Sequence, residues 1–453
     1  MIKIYNSYTG KKEAFHSIVP NQVSMYVCGM TVYDDCHVGH ARVMIVFDLI
    51  YRWLMESGYS VTYIRNITDI DDKILNKANT SQCHFSEITA KYIQSMVDDA
   101  IELNILDPSH QPKATESIDE MIKMIIDLES KGVAYVGDNG DVFFDISKFP
   151  DYGNLSKKNL DDLNAGSRVE LDQNKKNPFD FVLWKKTKKN EPCWPSPWGD
   201  GRPGWHIECS AMSTKYLGKS FDIHGGGQDL IFPHHENEIA QSESCHNQKM
   251  ANYWVHNGFV KVDDEKMSKS LGNFFTLKTV LKDYNGEILR FFILRSHYRS
   301  PLNYSNKNLV DAESAVKKIY IALRNYPCKE VTLDWEKPYL AEFRNAMNDD
   351  FNSPKAIAII FELLNALNKK IDNLLADEIF TLLKKIGLMS IAPDKFLMDS
   401  LEIDANLVAQ LIDDRNQAKV NKDYQTADLI RKQIESYGVV LEDTPQGTVW
   451  RKK

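Results

Sequence analysis

The sequence predicts an α/β fold built around a parallel sheet. Gln22–Val27 is rich in β-branched and aromatic residues, and the apolar stretch 41–56 behind it has helical spacing. Val61–Thr68 repeats the strand pattern and runs into an acidic loop, the kind of strand end where parallel sheets bind ligands. From about residue 276 onward, helical spacing dominates. We therefore predict a Rossmann-type parallel-sheet domain with an insertion, followed by an all-α helical bundle and a C-terminal region.

Changes in composition divide the chain into segments. Strand patterns flanking Gly137-Asp-Asn-Gly140 predict a hairpin, and a Pro- and Trp-rich stretch follows before the sheet pattern resumes at Phe221–His224. The hairpin would lie in an insertion between two halves of one sheet; the alternative is a separate small domain with its own function. We predict the first half of the Rossmann domain at 1–115, the insertion at 116–203, the second half at 204–275, a connecting region at 276–315, the helical bundle at 316–400 and the C-terminal region at 401–453.

Composition and charge argue against several classes of protein. The net charge of −8 disfavours a protein that coats nucleic acid, but it allows a local basic site. Arg42, Asp48 and Arg52 interrupt the longest apolar stretch, and the N-terminus lacks the apolar core of a secretory signal. The seven scattered cysteines fit a reducing compartment better than a disulfide scaffold. We therefore expect a cytoplasmic protein without a membrane partner.

A short motif, His37-Val-Gly39-His40, lies where the first strand gives way to the first helix. The unpaired N–H groups and positive dipole of a helix start attract phosphate. Both imidazoles can donate to phosphate oxygens, and Gly39 leaves room for a base or ribose. The alternative is an ordinary pair of histidines capping a buried helix, and the motif alone leaves both interpretations open.

A second motif, Lys266-Met-Ser-Lys269-Ser270, lies far downstream and would by itself be a solvated loop. In this order, the two motifs resemble the signature pair of the class I aminoacyl-tRNA synthetases. The one departure in the first motif is Val38, where the usual motif carries isoleucine, and the change is conservative. The resemblance implies a Rossmann-type catalytic domain that activates an amino acid with ATP, with the lysine loop closing over the phosphates.

Four potential metal ligands are spread over both halves of the predicted sheet domain: Cys28, Cys209, His234 and Glu238. His234 and Glu238 are four residues apart and would share one face of a helix that starts near Pro233. Two thiols, one imidazole and one carboxylate suit tetrahedral zinc. Spacing does not decide the matter, because no C-x-x-C pair is present. Two buried cysteines and a surface His/Glu pair are the alternative.

Longer stretches around these ligands resemble the cysteinyl-tRNA synthetase family. The similarity covers residues 1 to about 310, is weak at about 315–400 and returns at 414–450. It is carried mainly by Cys28-Gly-Met-Thr-Val-Tyr-Asp, Gly204-Trp-His-Ile-Glu-Cys-Ser, Asp222-Ile-His-Gly-Gly-Gly-Gln-Asp and the lysine motif. The resemblance implies one Zn²⁺ per chain at the floor of the amino-acid pocket, held by Cys28, Cys209, His234 and Glu238.

The resemblance also implies roles for other residues. The catalytic residues would be His37, His40, Lys266 and Lys269. ATP, with Mg²⁺, would contact Gly29, Thr31, His37, Gly39, His40, Asn257, Val260, Lys266, Met267, Ser268, Lys269 and Ser270. Together with their positions, it suggests that Thr68 and Asp229 hold the ammonium group of L-cysteine, while Trp205 and His224 wall its pocket. The alternatives are a core tryptophan for Trp205 and a satisfied buried histidine for His224.

The C-terminal region is expected to bind the tRNA for cysteine, with 276–315 at the tRNA stem and the protein acting as a monomer. From Arg415 onward the chain has eight basic and five acidic residues, a local positive excess on an acidic protein. Arg415, Lys419 and Arg431 would contact phosphate, and Trp450 would stack on an unpaired base. The alternative is a solvated helix pair with one core tryptophan.

The implied reaction must separate cysteine from serine and alanine. In an apolar pocket, a difference of one small group changes the binding free energy by only ~1–3 kcal/mol. A thiol has a pKa of about 8.5, ionises readily on zinc and forms a soft bond, whereas a hydroxyl does not. We therefore predict that the substrate thiolate binds zinc directly and that no editing domain is needed, in keeping with the short insertion.

Two other functions compete with a ligase that attaches cysteine to tRNA. The first is a ligase that joins activated cysteine to a small amine or amino sugar. Such relatives lack the final tRNA-binding segment, which this chain has at 415–450. The second is a non-catalytic zinc-containing RNA-binding protein. The intact histidines and lysines of the two motifs argue against it.

Overall fold

The computed structural model describes residues 1–158, 173–188, 191–262, 265–266, 274–398, 405–437, 439–444 and 447–452. The chain divides into two compact units. The first comprises Met1–Ala312, Asp334–Ile359 and Lys385–Leu388, and the second comprises Glu313–Leu333, Ile360–Lys384 and Met389–Lys453. None of the helices described is both long and apolar enough to cross a membrane. The finer segment boundaries predicted above stay predictions.

The strands described, in chain order, are β1 (Lys3–Asn6), β2 (Lys11–Ala14), β3 (Gln22–Val27), β4 (Ser60–Arg65), β5 (Ala134–Val136), β6 (Val142–Phe144), β7 (Phe181–Lys186), β8 (Gly201–Pro203), β9 (Phe221–Gly227), β10 (Ala251–Asn257), β11 (Val260–Val262), β12 (Glu265–Lys266), β13 (Leu302–Tyr304), β14 (Val439–Thr444) and β15 (Gly447–Lys452).

The α-helices described are α1 (Val38–Glu56), α2 (Asp72–Ser81), α3 (Phe85–Glu102), α4 (Ile118–Ser130), α5 (Trp205–Leu217), α6 (Glu236–His246), α7 (Leu277–Asp283), α8 (Gly286–Leu294), α9 (Asn306–Leu323), α10 (Pro338–Asn348), α11 (Ser353–Lys369), α12 (Asn373–Lys385), α13 (Pro393–Met398), α14 (Ala405–Val420) and α15 (Tyr424–Ser436). The mixture of parallel strands and helices confirms the predicted α/β class.

The central sheet of the first unit has four parallel strands in the order β10-β9-β3-β4. The predicted strand at Gln22–Val27 is confirmed in both bounds, and the second strand ends at Arg65 rather than Thr68. Because the four strands are parallel, their carboxyl ends meet at one edge of the sheet. Cys28, Asn66 and Gln228 follow three of these strands directly, so side chains far apart in sequence converge there.

β9 is longer than its sequence pattern indicated. The predicted strand stopped at His224, but the structure continues it through the three glycines to Gly227. A Cβ atom on Gly225 would lie 2.2 Å from a ring carbon of Phe47 in α1. The glycine therefore allows α1 to pack directly on the strand, and the glycine run belongs to the sheet rather than to a loop.

The insertion forms its own antiparallel sheet in the order β5-β6-β7-β8. The predicted hairpin around Gly137–Gly140 is confirmed, since β5 pairs antiparallel with β6. β7 and β8 were not predicted. Trp184 on β7 is fully buried together with Phe143 and Phe144 on β6, so these side chains form the apolar layer of the insertion.

The C-terminal part of the second unit has a small core of its own. α14 and α15 pack together, and the tail beyond them forms the antiparallel hairpin β14-β15. Its buried apolar residues are Val408, Leu411, Ile412, Ile434, Val439, Leu441 and Trp450. The predicted helix pair is confirmed, and the hairpin gives its apolar face a second layer to pack against.

Candidate active site and metal centre

The histidines of the first motif form the N-terminal cap of α1. Nδ1 of His37 accepts a hydrogen bond from the backbone N–H of His40 at 3.3 Å, and the backbone N–H of His37 donates to Nδ1 of His40 at 3.4 Å. The two rings stack with centroids 3.6 Å apart. Because each Nδ1 accepts a hydrogen bond, each neutral ring carries its proton on Nε2. Two Nε2–H groups therefore lie at the helix start, where the backbone N–H groups of Val38 and His40 already have acceptors.

The chain that follows the second motif lies against this helix start. The backbone N–H of Val38 donates to the carbonyl of Phe275 at 3.3 Å, and that of Leu277 donates to the carbonyl of Cys36 at 2.7 Å. The segment at 275–277 is therefore hydrogen-bonded to the segment that carries the histidine motif.

Only part of the second motif and its surroundings lies within the described residues. Asn257 ends β10, and Val260 begins β11. The backbone of Lys266 pairs with Lys261 on β11. The predicted ATP contacts Met267, Ser268, Lys269 and Ser270 lie outside the described residues.

Gly29 occupies a position where only glycine fits. Its N–H donates to Oδ1 of Asn66 at 2.8 Å, and a Cβ atom would lie 1.7 Å from the carbonyl oxygen of Asn66. Thr31, two residues on, forms a parallel bridge with Thr68. Gly39 is the second residue of α1, so its N–H is one of the unpaired donors at the helix start.

The four predicted metal ligands converge at the carboxyl edge of the sheet. Cys28, Cys209, His234 and Glu238 are all buried, and one ligand atom from each lies within 4.8 Å of the others. Sγ of Cys28 lies 3.6 Å from Sγ of Cys209 and 3.2 Å from Oε1 of Glu238. Nε2 of His234 lies 3.0 Å from the same oxygen. The structure thus places together residues from β3, α5 and α6 and their flanking turns.

These separations suit a tetrahedral ion. Around zinc, two sulfur ligands would lie ~3.8 Å apart, sulfur and oxygen ~3.6 Å apart, and nitrogen and oxygen ~3.3 Å apart. The measured contacts are within about 0.4 Å of these values, so a small outward movement of the side chains admits a metal ion. The group is a buried Cys/His/Glu cluster compatible with a metal site.

Pro233 does not begin a regular helix as predicted. Phe232 has extended backbone angles, and the regular helix α6 begins only at Glu236, after a turn at Ile231–His235. His234 therefore lies in the turn before the helix. It still contacts Glu238, with 3.0 Å between Nε2 of His234 and Oε1 of Glu238.

A second, overlapping group also brings four ligand atoms within 4.8 Å: Cys28, His224, His235 and Glu238. Its histidines already have close partners. Nε2 of His224 lies 2.8 Å from Oε2 of Glu238, and Nδ1 of His235 lies 2.8 Å from Nε2 of His256. The contact with His224 holds the carboxylate so that Oε1 faces the first group, as outer partners of metal ligands do. The first group is the better metal candidate.

Mutual contacts set the protonation of the group. Burial opposes a charge on Glu238, but His224 and His234 hold its pKa well below the usual value. Burial and neighbouring anions raise the pKa of Cys28 well above normal. Burial also works against ionisation of Cys209, but hydrogen bonds from Cys28 and His234 lower its pKa to about 6. One thiolate and one carboxylate are thus available at neutral pH, as metal binding requires.

The predicted cysteine-pocket residues differ in their surroundings. The ring of Trp205, 40% exposed, lies 4.2 Å from the ring of His234. Asp229 is exposed just after β9. His224, by contrast, is fully buried and stacks on Trp254, with ring centroids 4.4 Å apart. The structure therefore places His224 directly behind Glu238, and its role as a pocket wall stays a prediction.

Two further neighbours of the metal group had no predicted role. Nδ1 of His206 lies 2.9 Å from Nδ1 of His234. Glu208 is buried and accepts a hydrogen bond from the Thr68 hydroxyl, and burial raises its pKa well above the usual value. Both residues belong to the same Gly204–Ser210 stretch that carries Cys209. For His206, the available signal was its helical spacing of three residues from Cys209, whereas Glu208, directly before Cys209, had no such signal.

Two of the residues predicted to contact tRNA are buried. Arg415 is only 3% exposed and Trp450 only 8%, and Trp450 belongs to the small C-terminal core. Their burial favours the alternative of a helix pair with a core tryptophan, and their tRNA contacts stay predictions. Arg431 is half exposed and pairs with Glu435 at 3.1 Å, and Lys419 is partly exposed. Those two cations stay candidates for tRNA contact.

Comparison with known proteins identifies the class of the fold and site. Residues 14–314 match the family model of the tRNA synthetases class I (C) catalytic domain, and 342–389 match the DALR domain. A Mycobacterium tuberculosis methionyl-tRNA synthetase in complex with methionyl-adenylate has a similar fold, with TM-score 0.57 and 15% identity over 81% of this chain and 88% of that one. An Agrobacterium radiobacter K84 LeuRS–tRNA–LeuAMS complex also has a similar fold, with TM-score 0.58 and 12% identity over 82% of this chain and 84% of that one. The protein is a class I aminoacyl-tRNA synthetase.

Curated relatives narrow the family further. The chain is 52% identical over 465 residues to the cysteine–tRNA ligase of Nitrosomonas europaea, and 54% identical over 456 residues to that of Laribacter hongkongensis. Both alignments cover 100% of each chain. The chain belongs to the cysteine–tRNA ligase family.

Proposed function

We propose that this protein attaches L-cysteine to the tRNA for cysteine in two steps and that zinc selects the thiol. In the first step, a carboxylate oxygen of cysteine attacks the α-phosphorus of ATP, and pyrophosphate leaves. In the second, a hydroxyl of the 3′-terminal adenosine attacks the activated carbonyl, and AMP leaves. The observation that carries the proposal is the buried Cys28–Cys209–His234–Glu238 group at the sheet edge where the His37–His40 helix start also lies.

Zinc is the ion that these ligands favour. Two sulfur donors select a soft or borderline cation over magnesium or calcium, and the set of four matches tetrahedral zinc. Cys28, Cys209, His234 and Glu238 would hold it. When bound, the ion supplies affinity for an ionised thiol that the hydroxyl of serine does not share. Trp205, whose ring lies beside His234, would cover one side of the amino acid.

The activation step needs positioning and charge stabilisation more than proton transfer. The Nε2–H groups of His37 and His40 would donate to the phosphates, together with the N–H of Gly39 at the α1 start. Lys266 and Lys269 would neutralise the departing pyrophosphate, and Mg²⁺ would accompany ATP. Gly29, Thr31 and Gly39, with Asn257, Val260, Met267, Ser268 and Ser270, complete the proposed nucleotide site.

The substrate ammonium would lie between Thr68 and Asp229. In the C-terminal region, Lys419 and Arg431 would contact tRNA phosphates.

Cysteine-dependent ATP–pyrophosphate exchange tests the first step. We expect exchange with cysteine, no exchange with serine, and loss of exchange when zinc is removed. Absence of exchange with every amino acid would contradict the ligase function. Full cysteine exchange by protein shown to be free of zinc would contradict the role of the metal, while leaving the activation chemistry in place.

A further inference from the structure

Glu208 is a buried carboxylate with one unpaired oxygen, and it lies beside the proposed cysteine pocket. It is in the first turn of α5, 1% exposed and adjacent to Cys209. Its Oε2 accepts a hydrogen bond from the Thr68 hydroxyl at 2.9 Å, whereas its buried Oε1 has no hydrogen-bond partner among the described residues. Leaving a carboxylate oxygen unpaired in the interior costs free energy, so packing alone gives no reason for this side chain.

The ionisable groups nearest to Glu208 are themselves acids. The groups that act on it most strongly include Cys209, Asp69 and Asp71, which are all negative when ionised. Zinc would not supply the missing positive charge. Two thiolates and one carboxylate around a dication leave the metal centre with a charge of about −1, and a bound substrate thiolate would make it more negative. This part of the pocket is therefore suited to a cationic group brought by the ligand.

The hydrogen bond to Glu208 also fixes the polarity of Thr68. A hydroxyl has one proton, and Thr68 donates it to Glu208. Thr68 Oγ1 accepts a hydrogen bond from Nδ2 of Asn66 at 3.4 Å, and a hydroxyl oxygen has a second lone pair that can accept another. Oδ1 of Asn66, two residues earlier, lies 3.8 Å from Sγ of Cys209. Thr68 thus lies close to the metal group, and its hydroxyl oxygen can accept a hydrogen bond from a ligand.

We propose that Glu208 is a positioning residue for the ammonium group of the amino-acid substrate. It orients Thr68 as an acceptor and offers its own Oε1 as a second buried acceptor for the ammonium protons, in addition to the exposed Asp229. This inference rests on the proposed function, in which cysteine occupies the pocket. The ligand class is an α-ammonium thiol. A thiol acid without the ammonium group gains nothing from Glu208.

Equilibrium binding of two ligands tests the inference. L-cysteine and 3-mercaptopropionate share the thiol and the carboxylate, but only cysteine has the ammonium group. Their dissociation constants are measured by calorimetry on the zinc-loaded, full-length protein and on Glu208→Gln and Thr68→Val. We expect the constant for cysteine to rise roughly 10- to 100-fold in both variants and that for 3-mercaptopropionate to change less than about threefold. Thr68→Ser keeps the hydroxyl and should keep the wild-type selectivity.

Glu243→Gln is the matched control. Glu243 is a partly buried carboxylate on α6 that accepts a hydrogen bond from the Met250 backbone N–H at 3.1 Å, and its change should alter neither constant. Zinc content and melting temperature are recorded for every variant. Equal weakening of both ligands would overturn the proposal, because Glu208 would then support only the metal centre or the fold. Unchanged cysteine binding would overturn it too.

The same measurements separate this inference from the proposed function. If the wild type shows the expected selectivity in binding but no pyrophosphate exchange, the ligase function fails and the role of Glu208 stands. If the wild type exchanges pyrophosphate with cysteine and Glu208→Gln binds both ligands as the wild type does, the role of Glu208 fails and the ligase function stands.

Discussion

The metal-ligand group and the C-terminal core bury opposite kinds of side chain. The first holds two thiols, an imidazole and a carboxylate, and the second holds aliphatic residues and Trp450. Buried ionisable groups lower the stability of a fold unless a partner compensates them, whereas buried apolar area raises it. The contrast indicates that the metal-ligand group is maintained for what it binds, and the C-terminal core for holding its helices and hairpin together.

Removing one ligand should give the largest effect. In Cys209→Ser, we expect zinc content after dialysis to fall to less than about a tenth per chain and cysteine-dependent exchange to fall at least ~100-fold, because even outer partners of metal ligands are worth ~10–100-fold. Metal analysis and exchange assays check this. Cys245→Ser changes a buried cysteine outside the group and should retain zinc. Stoichiometric zinc in Cys209→Ser would show that the ligand set is wrong.

The C-terminal core should respond in stability rather than in chemistry. Trp450→Ala is expected to destabilise the second unit by about 3–5 kcal/mol, because it removes a large buried side chain and leaves a cavity. Denaturant unfolding followed by circular dichroism measures this, and Trp450→Phe should cost clearly less. The opposite result, unchanged stability with weakened tRNA binding, would favour the base-stacking role of Trp450 over a role in the core.

Asp99 shows what a buried charge costs away from the metal-ligand group. Burial raises its pKa to about 6, above the ~3.9 of an unfolded chain. The folded state therefore binds more protons between about pH 4 and pH 6, and the free energy of unfolding falls as pH rises through that window. Asp99→Asn should raise stability by ~1–2 kcal/mol at pH 7.5 and hardly at pH 4. Urea titrations at both values check this, and an equal effect at both would contradict the assigned pKa.

The smallest effect should come from an exposed cation. Arg431 and Glu435 form a surface pair at 3.1 Å, which contributes at most ~0.5 kcal/mol. Arg431→Gln should leave stability nearly unchanged and reduce the slope of log tRNA affinity against log salt by about 1. Arg415→Gln changes a buried residue, so it should lower stability and leave the salt slope of tRNA affinity nearly unchanged. Filter binding over a salt series distinguishes them, and identical behaviour would remove the contrast between the two arginines.

The sequence predicted the position of the histidine motif correctly, because a strand-to-helix junction depends on local sequence. His37 and His40 were expected at a helix start, and the structure makes them its cap. The four metal-ligand candidates also meet as anticipated, although their meeting depended on family resemblance. Cys28 and Cys209 are 181 residues apart in the sequence, and no local pattern predicts that they lie in contact.

The sequence left open the roles of residues for which burial decides between two interpretations. Arg415 and Trp450 look like an RNA-binding pair in a basic segment, but the hairpin that buries Trp450 forms only when β14 and β15 pair. His224 looks like a pocket residue after a strand, yet it stacks on Trp254 from the neighbouring strand β10. Exposure results from which elements pack together, and local sequence patterns do not specify it.

By itself, the sequence determined the α/β class, the first strand of the sheet, the helix start with its two histidines and the residue types available for a metal. These depend on local periodicity, capping and chemistry. Only the tertiary structure decided which carboxylates are buried, that Glu238 is held by His224, and that Thr68 donates to Glu208. The reason is physical: hydrogen-bond polarity and desolvation depend on neighbours that the fold brings from distant parts of the chain.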